Sequence, residues 1–162
     1  MSKRLVVATL ILLVLLAAAG FALGKRTIGD APTLTVQTVE GKEVVLDLRK
    51  GPVLFVAYWC PHCDRFLLTA KEMGLERLPT VVSIWPRDGD TLADVVRETR
   101  AKLQRTGWED TPFYVLMAGS PSYVQGTPTL VWWENGRMKA ENPLMMSADR
   151  LRAVVSGEGA AQ

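Results

Sequence analysis

The sequence has few residues that could bind a soft metal ion, with two cysteines and one histidine among 162 residues. A closed structural zinc site needs four ligands, so these three fall one short. No histidine follows the cysteines, which argues against a copper site built with the six methionines. The pair Met145–Met146 keeps copper open as an alternative, although flexible filling of the core is the role that we predict for the methionines.

An excess of charge of one sign is also missing, since 19 basic residues stand against 17 acidic ones. The chain has no basic stripe, charge block or internal repeat, which argues against nucleic acid as a partner and against a solenoid. Beyond the N-terminal region roughly 130 residues remain, enough for one ordinary domain and too few for two.

A single long apolar stretch, residues 5–23, follows a positive patch in residues 1–4. Roughly 19 helical residues reach about 28 Å, close to the thickness of a bilayer core. We therefore predict a transmembrane anchor at 5–23, with a signal peptide as the alternative because small residues at 17–19 and 22–24 suit a signal peptidase. The rest of the predicted organisation is a cytoplasmic n-region at 1–4, a linker at 24–32, one domain at 33–157 and a flexible tail at 158–162.

Both cysteines and the histidine stand together in the segment 59–63, Trp-Cys-Pro-His-Cys. The apolar run 53–58 before it, which follows a Gly-Pro pair, predicts a buried strand. Pro61 suits the first position of a helix, and apolar residues at helical spacing continue until Gly74 favours a stop. The two cysteines are thus predicted to lie where a strand passes into a helix.

The N-terminus of a helix favours a thiolate over a thiol, because unpaired N–H groups and the positive end of the dipole meet there. Cys60, at or just before the first turn, is the predicted nucleophile. Cys63, one turn further in, is predicted to be more buried and to act as the resolving thiol. A structural disulfide is the alternative, but a bridge across so few residues constrains the unfolded chain little.

The remaining patterns predict an alternating α/β order: hairpin, strand, helix, strand, helix, short strand, hairpin, helix. Thr91 and Asp94 have the spacing of a capping box, Asn135-Gly136 is a strong hairpin signal, and Ser147 is a predicted N-cap. The predicted elements beyond the cysteine helix are a hairpin at 34–46, a strand at 80–84, a helix at 91–105, a strand at 113–117, a hairpin at 129–140 and a helix at 147–157.

This order, with Trp-Cys-x-x-Cys at 59–63 and Gly-Thr-Pro-Thr at 126–129, resembles the thioredoxin fold. The resemblance implies a three-layer α/β fold in which helices flank a mixed central sheet, here preceded by an N-terminal transmembrane helix. The sequence is more closely similar to membrane-anchored, extracytoplasmic thiol-disulfide oxidoreductases of the TlpA/ResA type. That similarity is carried by residues 40–44 with 46–53, by 58–63, and by 123–129 with 134–137, whereas 65–119 matches by pattern only.

The resemblance implies a protein-disulfide oxidoreductase whose catalytic pair is Cys60 and Cys63. No metal or other cofactor is expected beyond the redox-active disulfide of that pair. Pro128 is expected to follow a cis peptide bond beside the cysteines and, with Thr127, to present backbone groups to a substrate segment. Supporting roles at the site are expected for Trp59, Pro61 and His62.

The resemblance also implies partners and a location. The expected substrates are protein thiols or disulfides, the expected electron partner is a membrane redox protein, and nucleic acid is not expected. A single-pass anchor in the cell membrane would place the domain outside the cytoplasm, where disulfide exchange has a purpose. The hypothesis from a different class is a metallochaperone-like or adaptor module that uses the cysteines to bind copper or has no redox role.

The direction of electron flow stays open at this point. A protonated His62 would stabilise the thiolate and favour an oxidant, and Cys-Pro-His-Cys is also the motif of DsbA-type oxidases. TlpA/ResA-type proteins are mostly reductants that serve cytochrome c maturation or related pathways. Leu54 stands where thioredoxins have a buried acid and Phe66 where ResA-type proteins have a glutamate, so proton transfer to Cys63 is predicted to rely on water or substrate. Asp64 and Arg65 are predicted to form a charge pair on the helix surface.

Overall fold

The structure, a computed structural model, describes residues 32–157. The strands are β1 Thr33–Gln37, β2 Glu43–Asp47, β3 Val53–Val56, β4 Thr80–Ser83, β5 Phe113–Val115, β6 Thr129–Glu134 and β7 Arg137–Glu141. The α-helices are α1 Pro61–Glu72, α2 Leu92–Arg105 and α3 Ala148–Ser156, and a short 3-10 helix covers Pro143–Met145. The predicted element order is confirmed, with the 3-10 helix as an addition.

All seven strands form one mixed sheet in the order β2-β1-β5-β4-β3-β6-β7. The central pairs β3/β4 and β4/β5 are parallel, while β1/β2, β1/β5, β3/β6 and β6/β7 are antiparallel. β3, which leads into the cysteine motif, lies between β4 and β6 and is buried along its whole length. The start of α1 therefore follows a strand that is hydrogen-bonded to a neighbouring strand on each side.

The hairpin turn and the two helix caps predicted from short sequence patterns are present in the structure. Asn135 and Gly136 adopt φ values of 51° and 71° between β6 and β7, the left-handed pair that a tight hairpin requires. The Thr91 side chain accepts from the Asp94 amide, and the Asp94 carboxylate accepts from the Thr91 amide, which completes the capping box of α2. Ser147 caps α3 by accepting from the Arg150 amide.

The helices all pack on one face of the sheet. Phe66 of α1, Val95 of α2 and Leu151 of α3 share one apolar cluster with Leu54 and Val81 of the central strands. Connections between neighbouring parallel strands are right-handed, so the sequence β3, α1, β4, α2, β5 places both connecting helices on the same side.

The opposite face is covered without a helix. Phe55 and Val82 point to this second cluster, where Leu116, Tyr123 and Val124 from the segment after β5 pack on them. The Phe55 and Tyr123 rings meet edge to face with centroids 6.2 Å apart. The predicted three-layer arrangement is therefore wrong for residues 32–157, because the chain between β5 and β6 forms turns there instead of a helix.

Several predicted boundaries shift or cannot be compared. The strand predicted at 53–58 ends at Val56, and the one predicted at 113–117 ends at Val115. The n-region, the anchor, the tail and all of the linker except Pro32 lie outside the described residues. Among residues 32–157, no helix combines the length and apolar character needed to cross a bilayer.

Candidate active site

The two cysteines occupy the first turn of α1, as predicted. Cys60 is the N-cap residue, with extended backbone at φ −82° and ψ 119°, and Pro61 takes the first helical position. The Cys60 side chain makes no capping hydrogen bond to the helix. The first-turn N–H groups that a capping side chain would engage are therefore left to interact with the sulfur atoms and their surroundings.

Both cysteines are buried, with 4% of Cys60 and none of Cys63 exposed, but they differ in ionisation. Burial alone would raise the pKa of Cys60, but hydrogen bonds with the side chains of Thr127 and Cys63 and with the backbone of Cys63 and His62 bring it below its ordinary value. Burial is the main reason that the pKa of Cys63 rises to about 12, against an opposing backbone hydrogen bond from Ala57. Cys60 is thus the thiol that ionises first, and Cys63 is fully buried.

The loop before β6 lies directly against Cys60. The Thr127–Pro128 peptide bond is cis, as the resemblance implied. Cys60 Sγ donates to the Thr127 carbonyl oxygen at 3.3 Å, and Pro128 is buried while Thr127 is half-buried. Two segments separated by more than sixty residues thus meet at the thiol.

The other residues predicted to support the site lie at its exposed rim. Pro61 and His62 are exposed on the first turn, and Trp59 is 40% exposed. The Trp59 indole donates to the Trp85 carbonyl oxygen at 2.7 Å. Trp85 has φ 55°, a left-handed conformation that is rare for a bulky side chain, and it was not anticipated from the sequence.

The loop from Trp85 to Asp90 is fixed to the residues just before Cys60. The Tyr58 hydroxyl donates to the Asp90 carboxylate, which also accepts from the Arg87 amide at 2.7 Å. Burial and the bond to Asp90 raise the pKa of the Tyr58 phenol. The β4–α2 connection is therefore a structural part of the site's rim.

A buried lysine behind the motif is the main feature that the sequence analysis missed. Lys102 of α2 is completely buried, and its Nζ lies 2.9 Å from the Cys60 carbonyl oxygen and 2.8 Å from Asp64 Oδ1. Arg105 also reaches Asp64 Oδ1, at 3.0 Å. The predicted pair of Asp64 with Arg65 is thus wrong, because adjacent residues on a helix point in different directions and Asp64 faces α2.

Helical spacing contained a signal for Lys102. It falls on one stripe of α2 with Val95 and Thr99, which Thr106 continues at the C-cap; these residues are three and four apart, and all four are buried. The stripe carries polar side chains, so a search for apolar periodicity alone passes over it. Leu54, at the position of the acid expected by analogy with thioredoxins, is completely buried among apolar residues.

The cysteines and the histidine of the motif do not form a metal-ligand cluster in the described part of the chain. Within residues 32–157, no group of three or more His, Cys, Asp or Glu side chains is placed to hold a metal ion. Met146 is buried, in keeping with core filling, but Met145 is 85% exposed at the end of the 3-10 helix. The prediction for Met145 is therefore wrong, since neighbouring residues of so tight a helix point to different sides.

Comparisons with solved structures identify the fold of the chain. No family model matches the sequence, and no curated protein matches it significantly. The structure of MTB dsbF in its mixed oxidized and reduced forms matches with a TM-score of 0.55 and 16% identity over 76% of this chain and 93% of that one.

Two further structures match with a TM-score of 0.50. One is a secreted Mycobacterium tuberculosis disulfide oxidoreductase homologous to E. coli DsbE, at 16% identity over 76% of this chain and 95% of that one. The other is a thioredoxin-like superfamily protein, at 18% identity over 82% and 96%. The chain thus has a thioredoxin-like α/β fold with a mixed sheet and three helices in its described part. At these identities the likeness establishes the fold, and the chemistry rests on the site itself.

Proposed function

We propose that the chain is a thiol-disulfide oxidoreductase that exchanges disulfides with protein cysteines through Cys60 and Cys63. The contact between Cys60 Sγ and the Thr127 carbonyl oxygen carries the proposal. It sets the thiol that ionises first beside the backbone of a loop that an extended substrate segment could pair with. Cys63, one helical turn away and fully buried, is placed to attack Cys60 but not a bulky substrate.

The reaction takes place in two exchanges. In the reducing direction the Cys60 thiolate attacks one sulfur of a substrate disulfide, the substrate S–S bond breaks, and the second substrate sulfur leaves as a thiolate. Cys63 then passes its proton to water or to a substrate thiolate and attacks Cys60 Sγ, which releases the first substrate sulfur and forms the Cys60–Cys63 disulfide. Two electrons pass to the substrate, and the same steps in reverse oxidise a substrate dithiol.

A redox titration of the full chain, purified in detergent, tests this function. The fraction of Cys60–Cys63 disulfide is measured by differential alkylation in glutathione or dithiothreitol buffers, and turnover is measured with insulin. We expect a reversible two-electron transition and reduction or oxidation of insulin cysteines. A pair that never forms a disulfide, or that forms one without exchanging it, would contradict the proposal. Copper binding without exchange would favour the metallochaperone-like alternative.

The same titration gives the direction of electron flow. A potential near the roughly −120 mV of DsbA would define a disulfide-forming oxidase, and His62 would be the first residue to substitute. A potential near or below the roughly −270 mV of thioredoxin would define a reductant. A reductant outside the cytoplasm needs a supply of electrons, so a membrane redox protein belongs to that form of the proposal.

We also propose that residues 5–23 anchor the domain to the cell membrane, with the site outside the cytoplasm. The apolar length of that stretch and the use of a redox pair outside the cytoplasm support this location. Because the chain has only two cysteines, a membrane-impermeant thiol reagent applied to intact cells reports on Cys60. We expect labelling of intact cells and retention of the chain in washed membranes. Labelling only after lysis would contradict the outside location.

A further inference from the structure

The charge of Lys102 lies inside the protein, directly behind the thiol pair. Its side chain is completely buried, and its Nζ has two partners, the Cys60 carbonyl oxygen at 2.9 Å and Asp64 Oδ1 at 2.8 Å. The Cys60 carbonyl oxygen otherwise accepts only a long first-turn bond, 3.4 Å from the Asp64 amide. The lysine thus supplies the shorter of the two bonds that hold the carbonyl of Cys60.

Stability alone is a poor reason for this arrangement. Removing an ammonium group from water is costly, and a buried ion pair is often no more stabilising than apolar side chains of similar volume. Asp64 is 31% exposed and already has a second cation, Arg105, at 3.0 Å. Because the buried charge of Lys102 adds little to stability, its contact with the Cys60 carbonyl points to a role at Cys60.

The residue that Lys102 contacts through its carbonyl oxygen, Cys60, also carries the reactive sulfur. Covalent geometry limits the separation between the Cys60 carbonyl oxygen and its own Sγ, so Lys102 Nζ lies within about 8 Å of the sulfur. The path between them runs through buried protein, where a charge is weakly screened. The other charged or titratable groups near Cys60 are His62, Cys63 and Asp64 in the first turn of α1, and Arg105 of α2, which pairs with Asp64.

We propose that Lys102 is a positioning residue that sets the ionisation of Cys60, and that Asp64 sets how much of the lysine's charge reaches the sulfur. The ammonium group holds the Cys60 carbonyl at the start of α1 and stabilises the thiolate from behind. This role rests on the proposed thiol exchange, in which the thiolate of Cys60 is the attacking group. With Leu54 in place of an acid on β3, the buried ionisable group behind the cysteines is a lysine that comes from α2.

The ultraviolet absorbance of the thiolate, followed against pH in the reduced full chain, tests the assignment. Lys102→Met removes the charge and is expected to raise the apparent pKa of Cys60, which slows its alkylation at neutral pH on the order of tenfold. Asp64→Asn leaves the lysine without its carboxylate and is expected to lower that pKa. The two variants therefore shift the titration in opposite directions, whereas damage to the local structure would shift both the same way.

Arg100→Met is the matched control, because it removes one positive charge from an exposed position on the same helix. Its titration is expected to follow that of the unmodified chain. A folded Lys102→Met chain with an unchanged thiolate titration would overturn the proposal, as would shifts of the same sign in both variants. If Lys102→Met does not fold, the Asp64→Asn titration decides alone, and an unchanged or raised pKa counts against the proposal.

The titration needs no substrate, so it separates this role from the proposed function. A chain that fails to exchange disulfides with insulin would contradict the enzyme activity while leaving the lysine effect measurable. A chain that exchanges disulfides normally in all variants, with no change in the titration, would contradict only the role of Lys102.

Discussion

Helices α1 and α2 begin in opposite ways, although they follow neighbouring parallel strands of one sheet. α2 starts with Thr91 and Asp94, whose side chains and backbone amides pair reciprocally on the surface. α1 starts at Cys60, whose side chain makes no capping bond to the helix. The Cys60 carbonyl oxygen accepts a hydrogen bond from the buried Lys102 of α2.

The difference separates a helix start that serves stability from one that serves chemistry. A capping box satisfies the amides that would otherwise be free, and it does so with groups that have no further role. At α1 the free amides and the positive end of the dipole remain available to a thiolate. The uncapped start is less favourable for the helix, and the proline at its first position and the packing of α1 on the sheet offset that loss.

The largest expected effect concerns the two cysteines at the start of α1. Cys60→Ser is expected to reduce insulin turnover to the uncatalysed level, because no other described thiol can reach a substrate. Cys63→Ser keeps the attacking thiol and is expected to accumulate a mixed disulfide with the substrate, since the resolving step is lost. Mass spectrometry under non-reducing conditions measures the adduct. Turnover by Cys60→Ser, or a mixed disulfide that accumulates in Cys60→Ser but not in Cys63→Ser, would contradict the assigned order.

The second effect is a contrast in pH dependence within the same turn. The pKa of Cys60 lies below its ordinary value, and that of Cys63 is raised to about 12. At pH 7 roughly one Cys63 in 10⁵ is then a thiolate. Alkylation of the reduced chain followed by peptide mapping is expected to modify Cys60 at a lower pH than an ordinary cysteine and to spare Cys63. Equal rates at the two cysteines would remove the distinction between nucleophile and resolving thiol.

Sequence patterns predicted where both helices begin, but not the buried lysine that contacts the start of α1. The capping box and the Cys-Pro-His-Cys turn are local signals, so both were located to the residue. Lys102 could not be assigned to the site, because its partner atoms come from a segment some forty residues away. The covering of the sheet was also missed, since turns between β5 and β6 take the place of a helix and nothing local in that segment indicates which face it covers.

The third effect tests whether the start of α2 is purely structural. Thr91→Ala removes the cap and is expected to lower the free energy of unfolding by about 1 kcal/mol. The thiolate titration of Cys60 and the rate of insulin turnover are expected to stay unchanged. Urea unfolding measures the first quantity, and ultraviolet titration the second. A shift in the titration would show that the two helix starts are coupled and would weaken the contrast between them.

The smallest effect is an acid dependence of the same capping box. Hydrogen bonds from the Thr91 side chain and backbone, and then from Arg97, lower the pKa of Asp94 to about 2, below the ordinary aspartate value of about 3.9. A carboxylate with a lowered pKa contributes stability above the pKa of the unfolded chain and loses it as the pH falls through the folded value. The stability advantage of the unmodified chain over Asp94→Asn is thus expected to be constant above about pH 5 and to disappear towards about pH 2. Urea unfolding of both chains across that range measures it, and an advantage that persists at the acid end would mean that the carboxylate charge does not stabilise the start of α2.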